Sequence, residues 1–220
     1  DGAASYNIAG GFDIDGALDL PLFSECVNRM TERHDVLRSS YDYAGGTLVR
    51  RVHPFEARGI ELRDARGDPG GLEARCVEEA RVAFDLAHGP LWGMRLFRTG
   101  DAQYRLLFVT PPIVSAGTSY NQYLGELIER YSAAAAGRAP ALREPASRYG
   151  DFAAWQRGAI ESGQMEELAG YWKTRLQGFP TLEMPHDRPR SADQTFNGAM
   201  HAFALPAGLQ EQISLRCREE

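Results

Sequence analysis

Apolar positions recur along the chain at two periods, dividing it into short strands and amphipathic helices. Tyr6 to Ile14 (YNIAGGFDI) reads as a strand, with Gly10-Gly11 marking a bulge or a close backbone approach. Asp19 is placed to cap a helix running to about Arg33, with Pro21 in its first turn and Leu22, Phe23, Cys26, Val27 and Met30 on its inward face. Val36 to Tyr41 and Leu48 to His53 read as two strands around Ala44-Gly45-Gly46, a hairpin signal. Arg63 to Gly71 is a polar, Gly-rich loop. Leu72 to Phe84 is a second helix, with Leu72, Cys76, Val77 and Ala80 inward. Leu91 to Arg98 and Gln103 to Thr110 form another hairpin across Thr99-Gly100-Asp101. The run QYRLLFVT is apolar enough for a central strand, and it stops at Pro111-Pro112.

A third helix is expected from Thr118 to about Ala136, burying Tyr120, Tyr123, Leu124, Leu127, Ile128 and Tyr131, with Gly137 ending it. After a Pro- and Ala-rich connector, Arg138 to Ser147, two helices follow near Tyr149 to Ile160 and Met165 to Leu176. An extended stretch (Phe179 to Arg190), a strand (Ala199 to Leu205) and a helix from Pro206 complete the reading. Strands and helices interleave, and the strand pairs are local hairpins. The pattern therefore predicts an α/β sandwich with a mixed, largely antiparallel sheet rather than a doubly wound fold.

Composition narrows the function classes. In 220 residues, 43% are hydrophobic and 25% charged, which is enough for a packed core. The net charge of −6 argues against a nucleic-acid surface, which needs a basic excess. No run approaches the ~20 apolar residues of a membrane span. Asp1 to Ser5 has neither the basic region nor the apolar run of a signal peptide, and a cytoplasmic location is expected. Cys26, Cys76 and Cys217 are far apart and odd in number, which argues against a zinc site or a disulfide framework. Cys26 and Cys76 fall on apolar helix faces and read as small core hydrophobes.

Candidate chemistry is sparse. No P-loop, G-x-G-x-x-G, H-E-x-x-H or G-x-S-x-G occurs, and none of the five histidines lies three or four residues from another. The most function-like place is Thr110 to Ser119 (TPPIVSAGTS), a loop between a central strand and a helix start. It offers Ser115, Thr118 and Ser119 but no base nearby in sequence. The competing reading is a capped helix with Thr118 or Ser119 as N-cap.

Four segments, in order, resemble the condensation domain of nonribosomal peptide synthetases. Arg33-His34-Asp35-Val36-Leu37-Arg38 is similar to the family's RHxxLR segment, and Phe84-Asp85-Leu86 with Gly89-Pro90-Leu91 to FDLxxGPL. Tyr149-Gly150-Asp151-Phe152-Ala153-Ala154-Trp155-Gln156, followed by Tyr171-Trp172-Lys173, is similar to YxDxAxWQ. Pro185-His186-Asp187-Arg188-Pro189-Arg190 is similar to the lobe-linking PxDRPR segment. The resemblance implies a chloramphenicol-acetyltransferase-like N-terminal lobe over 1–180, an inter-lobe linker over 181–198 and the truncated start of a second lobe over 199–220. It also implies that the chain begins after the family's first conserved segment. No directly bound cofactor or metal is expected. The implied partners are carrier domains, with their phosphopantetheine arms, and neighbouring synthetase domains, without nucleic acid or membrane.

The same resemblance locates a departure. The family's HHxxxDG motif falls on Pro111, Pro112, Ile113, Val114, Ser115, Ala116 and Gly117, and only Gly117 matches. In the family the second His is credited as general base or amine-positioning group, and the Asp as partner of an Arg. Proline has neither a titratable group nor an N–H. Three readings follow: a catalytically silent domain that binds, spaces or recruits a tailoring enzyme in trans; amide formation by positioning, with Ser115, Thr118, Ser119 or Tyr120 orienting substrate; or an interaction module outside any synthetase. Arg33, His34 and Arg38 are expected to support the fold through ion pairs. Asp151 is expected to cap its helix, Trp155 to be core, Tyr171 and Trp172 to pack under the connector, with a lobe interface as the alternative for Trp172, and Asp187 and Arg188 to form a lobe-linking salt bridge.

Overall fold

In a computed structural model of the protein, residues 2–189, 192–193, 195–196, 198–199, 201 and 203–219 are described. The chain divides into two compact units, Asp1–Met184 and Pro185–Glu220.

The first unit is organised by a four-stranded sheet of β1 (Ile8–Asp15), β4 (Leu62–Asp64), β5 (Gly93–Gly100) and β6 (Gln103–Thr110), in the order β1-β6-β5-β4. β1 and β5 flank β6 antiparallel, with Ile8 opposite Thr110 and Met94 opposite Phe108, while β4 joins β5 in parallel. The sheet is therefore mixed and largely antiparallel, with the apolar QYRLLFVT run at its centre. A separate hairpin pairs β2 (Ser39–Ala44) with β3 (Thr47–Val52).

Two helices cover one face of the sheet: α1 (Leu20–Arg33) and α3 (Gly117–Ala135). Asp19 caps α1 by accepting the Leu22 N–H, and Pro21 needs no partner in the first turn, where backbone N–H groups are unpaired. Phe23, Cys26, Val27 and Met30 pack against Leu96, Leu106 and Phe108 of the sheet and Tyr123, Leu124 and Leu127 of α3. Burying each such side chain contributes about 1.5–3 kcal/mol. On the opposite face Phe97, Leu107 and Val109 meet Leu72 of α2 (Pro69–Ala80) and Ala65. Two further helices, α4 (Tyr149–Glu161) and α5 (Glu166–Arg175), complete this unit. The second unit contains α6 (Ala207–Glu219).

Several expectations need correction. Residues 36–38 belong to a 3-10 turn, Asp35–Arg38, and the strand starts at Ser39, because the chain must turn out of α1 before it can pair with β3. The loop expected from Arg63 contains most of β4, a three-residue strand too short to show an alternating pattern. Val77 (46% exposed) and Ile128 (64% exposed) face away from the core, since the buried stripes of α2 and α3 are narrower than periodicity implies. Thr118 and Ser119 lie inside α3, whose N-cap is Ala116. The described residues of the 199–205 stretch carry no strand, and residues 200 and 202 of that expectation lie outside the described set, as does Arg190 of the PHDRPR segment.

Candidate functional site

A cavity of about 360 Å³ opens beside the C-terminal end of β6 and the start of α3. One wall is the 111–117 loop. Pro111 carries no N–H to extend the ladder, and the Val114 N–H donates to the Pro111 carbonyl (3.2 Å) to close a turn. Buried Thr110 bonds through its hydroxyl to that of Ser115. The Ala116 N–H donates to Ser119 Oγ (3.3 Å). Tyr120, one turn into α3, shares its hydroxyl between the Gly10 and Phe108 carbonyls, each at 2.8 Å. Burial pushes the Tyr120 phenol well above its ordinary range, and the Gly10 hydrogen bond offsets only part of that. A Cβ on Gly10 would lie 2.6 Å from the Tyr120 hydroxyl, which is the close approach that Gly10-Gly11 signals.

The opposite wall is the end of α1 and the turn after it. The His34 N–H closes α1 on the Met30 carbonyl. Arg33 is only 8% exposed and is fully partnered, with Nε on Glu126 Oε2 and Nη1 on Glu144 Oε1 (3.0 Å each) and Nη2 on the Arg143 carbonyl. Glu126, 14% exposed, also holds His34 Nε2 at 2.8 Å and accepts from Gln122 Nε2 at 3.0 Å. Burial would raise the Glu126 carboxyl. Hydrogen bonds from Gln122, His34 and Arg33 outweigh it and hold the carboxyl below its ordinary value. Nearby, Asp35 pairs with Arg50 (2.9 Å), Arg38 donates to the His53 carbonyl (2.6 Å) and Arg148 donates to the Arg33 carbonyl (3.2 Å).

The structure thus gathers Arg33, His34, Pro112, Ser115, Ala116, Ser119 and Tyr120 around one cavity, with Tyr149 and Arg148 at its side. Pro111, Gly117 and Thr118 adjoin it in the chain, and Arg38 stands outside its lining. Tyr120 contributes to the lining, but its hydroxyl is donated into the sheet rather than offered to a ligand. Asp151 accepts the Arg148 N–H (2.8 Å) from the third position of α4. Trp155 is no core residue: it is 59% exposed and ends a surface ladder, Tyr149–Phe152–Trp155, with ring centroids 5.9 and 5.7 Å apart. Tyr171 and Trp172 are likewise exposed, edge to face on each other at 5.2 Å, rather than covered by the connector. Asp187 and Arg188 are both exposed and lie in the second unit. No group of three or more His, Cys, Asp or Glu able to hold a metal occurs among the described residues, and none of their helices is long and apolar enough to cross a membrane.

Glu126 and Gln122 escape sequence reasoning. Their only local signal is an i, i+4 polar pair flanking an apolar helix stripe, and the separation of 92 positions between His34 and Glu126 hides the contact.

The mixed sheet has helices on both faces, and the walls of its cavity carry the segments that resemble family motifs. The condensation-domain family matches residues 1–220, and the chain belongs to that family. It is 34% identical to a linear gramicidin synthase protein of Brevibacillus parabrevis over 99% of its length, which is 3% of that protein. It is 31% identical to phosphinothricin tripeptide synthetase PhsC of Streptomyces viridochromogenes over 94% of its length, 20% of that protein. Among solved structures it is similar to the X-domain from teicoplanin biosynthesis (TM-score 0.76, 22% identity, 85% of this chain and 42% of that one). It is also similar to SgcC5 of Streptomyces globisporus (TM-score 0.71, 26% identity, 86% and 44%). The chain therefore spans a small part of its curated relatives and less than half of these solved chains.

Proposed function

We propose that this chain is the N-terminal lobe of a nonribosomal peptide synthetase condensation domain that has lost its chemistry and serves to bind, space or recruit. The lobe would comprise 1–180, with a linker over 181–198 and the start of a second lobe from 199. What supports the reading is that the resemblance places the family's histidine pair on Pro111-Pro112, in a loop whose hydroxyls bond no base. Ser115 is tied to Thr110, Ser119 to the Ala116 N–H and Tyr120 to two sheet carbonyls. General-base chemistry needs a titratable acceptor within hydrogen-bond reach of the attacking group, and this wall supplies none.

The partners of this reading are carrier domains whose phosphopantetheine arms deliver the tethered acyl or peptidyl chains. The recruiting version is supported by the fold likeness to the teicoplanin X-domain, which has been solved in complex with OxyB.

The test is condensation by the full-length protein with loaded donor and acceptor carrier proteins. Amide formation at the uncatalysed background rate is expected, and a rate well above it overturns the silent reading. Pull-down against the pathway's tailoring enzymes tests recruitment; no binder at micromolar concentration counts against that version.

A further inference from the structure

A cavity that binds without reacting still needs oriented polar groups to select its ligand, and the loop wall has committed its own. His34 is the one imidazole lining the cavity. Its Nε2 faces Glu126 Oε2 at 2.8 Å. Glu126 is ionised and pinned in turn by Arg33 and Gln122, so it acts as the acceptor. In the neutral ring that partner fixes the tautomer: Nε2 carries the hydrogen, and Nδ1 keeps its lone pair. Nδ1 takes no hydrogen bond among the described residues. The result is a ring nitrogen acceptor held rigidly by a buried carboxylate, beside the apolar surfaces of Val36, Phe108 and Pro112. By contrast the Gln122 amide, also at the cavity, belongs to an exposed side chain whose N–H is already donated to Glu126.

We propose that His34, oriented by Glu126, is the ligand-positioning residue of this cavity, and that its Nδ1 accepts an amide N–H from an apolar acyl chain. The inference rests on the binding reading above and adds to it a ligand class and a residue. The family motif assigns neither, because the motif's own positions are prolines here. The N–H could come from an aminoacyl amide or from an amide of the arm that carries it.

Three small thioesters separate these sources: N-acetyl-leucyl N-acetylcysteamine, its analogue with an ester oxygen in place of the leucyl amide N–H, and its analogue with an ester oxygen in place of the cysteamine amide N–H. Their affinities are measured by calorimetry on the full-length protein. One ester swap is expected to weaken binding about tenfold, the size of one well-made hydrogen bond, and to identify the source of the donor. In His34→Phe the parent compound still binds through its apolar part, and that swap makes no difference. Should His34→Phe fail to fold, the ¹⁵N shift of His34 Nδ1 in the unmutated protein decides. It is expected to move with the parent compound and to stay with the discriminating ester. A swap penalty that persists in His34→Phe, an Nδ1 shift unmoved by the parent, or equal affinities of all three compounds for the unmutated protein overturns the assignment to His34. No binding of the parent at millimolar concentration overturns the binding reading itself.

Discussion

The two walls of the cavity have opposite chemistry. The wall built from the end of α1 is charged, with its ionic groups answered: Arg33 by Glu126 and Glu144, and Asp35 by Arg50, while the His34 ring hydrogen-bonds Glu126. The wall built from the 111–117 loop is uncharged, and its hydroxyls are spent on its own backbone and neighbours. The difference teaches that the scaffold beneath a site and the reactive groups above it are held by separate interactions. A buried cation stays in place only with counter-charges, so the α1 wall cannot lose a partner without cost. The loop is held by turn geometry and by Tyr120, so its exposed side chains are free to change.

The largest expected effect breaks the charged wall. Glu126→Ala leaves Arg33 with only Glu144 and a carbonyl, and should destabilise the fold by about 3 kcal/mol in chemical denaturation. Pro112→Ala on the facing wall should cost about 0.5 kcal/mol. Equal costs would erase the contrast between the walls.

Next in size is Gly10→Ala, which sets a methyl group against the Tyr120 hydroxyl at 2.6 Å and should cost about 2 kcal/mol. Because that hydroxyl ties α3 to β1 and β6, hydrogen exchange should quicken at the first turn of α3 and leave α1 protected. Uniform loss of protection would argue against Tyr120 as the anchor of the loop wall.

A smaller effect is acid sensitivity. The Glu126 carboxyl sits below its ordinary value of 4.5 in the folded protein, so its ionised form favours folding. That contribution is complete above about pH 5 and disappears as pH falls through the lowered folded value. Glu126→Gln should therefore flatten the stability curve below about pH 5; an unchanged slope would exclude Glu126 as a source of acid lability.

The smallest effect is expected from Gly150→Ala in α4. The added methyl would meet only Arg50 Nη1, at 3.1 Å, the far end of a flexible side chain. The change in thermal midpoint should be within a degree or two, since helix propensity offsets the contact. A large loss would mean that the Arg50–Asp35 pair is as rigid as the Arg33–Glu126 cluster.

Local chemistry is legible wherever it is strong. The Asp19 cap, the Gly45-Gly46 hairpin, the central QYRLLFVT strand and the end of α3 at Gly137 each follow from a residue type with one preferred backbone role. The end of β6 before Pro111-Pro112 is visible for the same reason, because a proline has no N–H to extend the ladder. Trp155 defeats the pattern because hydrophobicity states what burial would gain, not whether a neighbour exists to supply it. Ile128 and Val77 do likewise at the margins of their helix stripes. β4 is hidden because three residues carry no period, and its parallel partner lies more than thirty positions on.

The sequence by itself determined the order of elements and the motifs that resemble the family's, both of which reside in residue type and near-neighbour spacing. Only the tertiary structure decided which charges meet. Glu126 is one polar residue on a helix flank until the packing of α1 on α3 brings both Arg33 and His34 to its Oε2, while Gln122 holds its Oε1. A carboxylate acquires its role from the charges the fold lays beside it in a poorly solvated place, and no local pattern records that encounter.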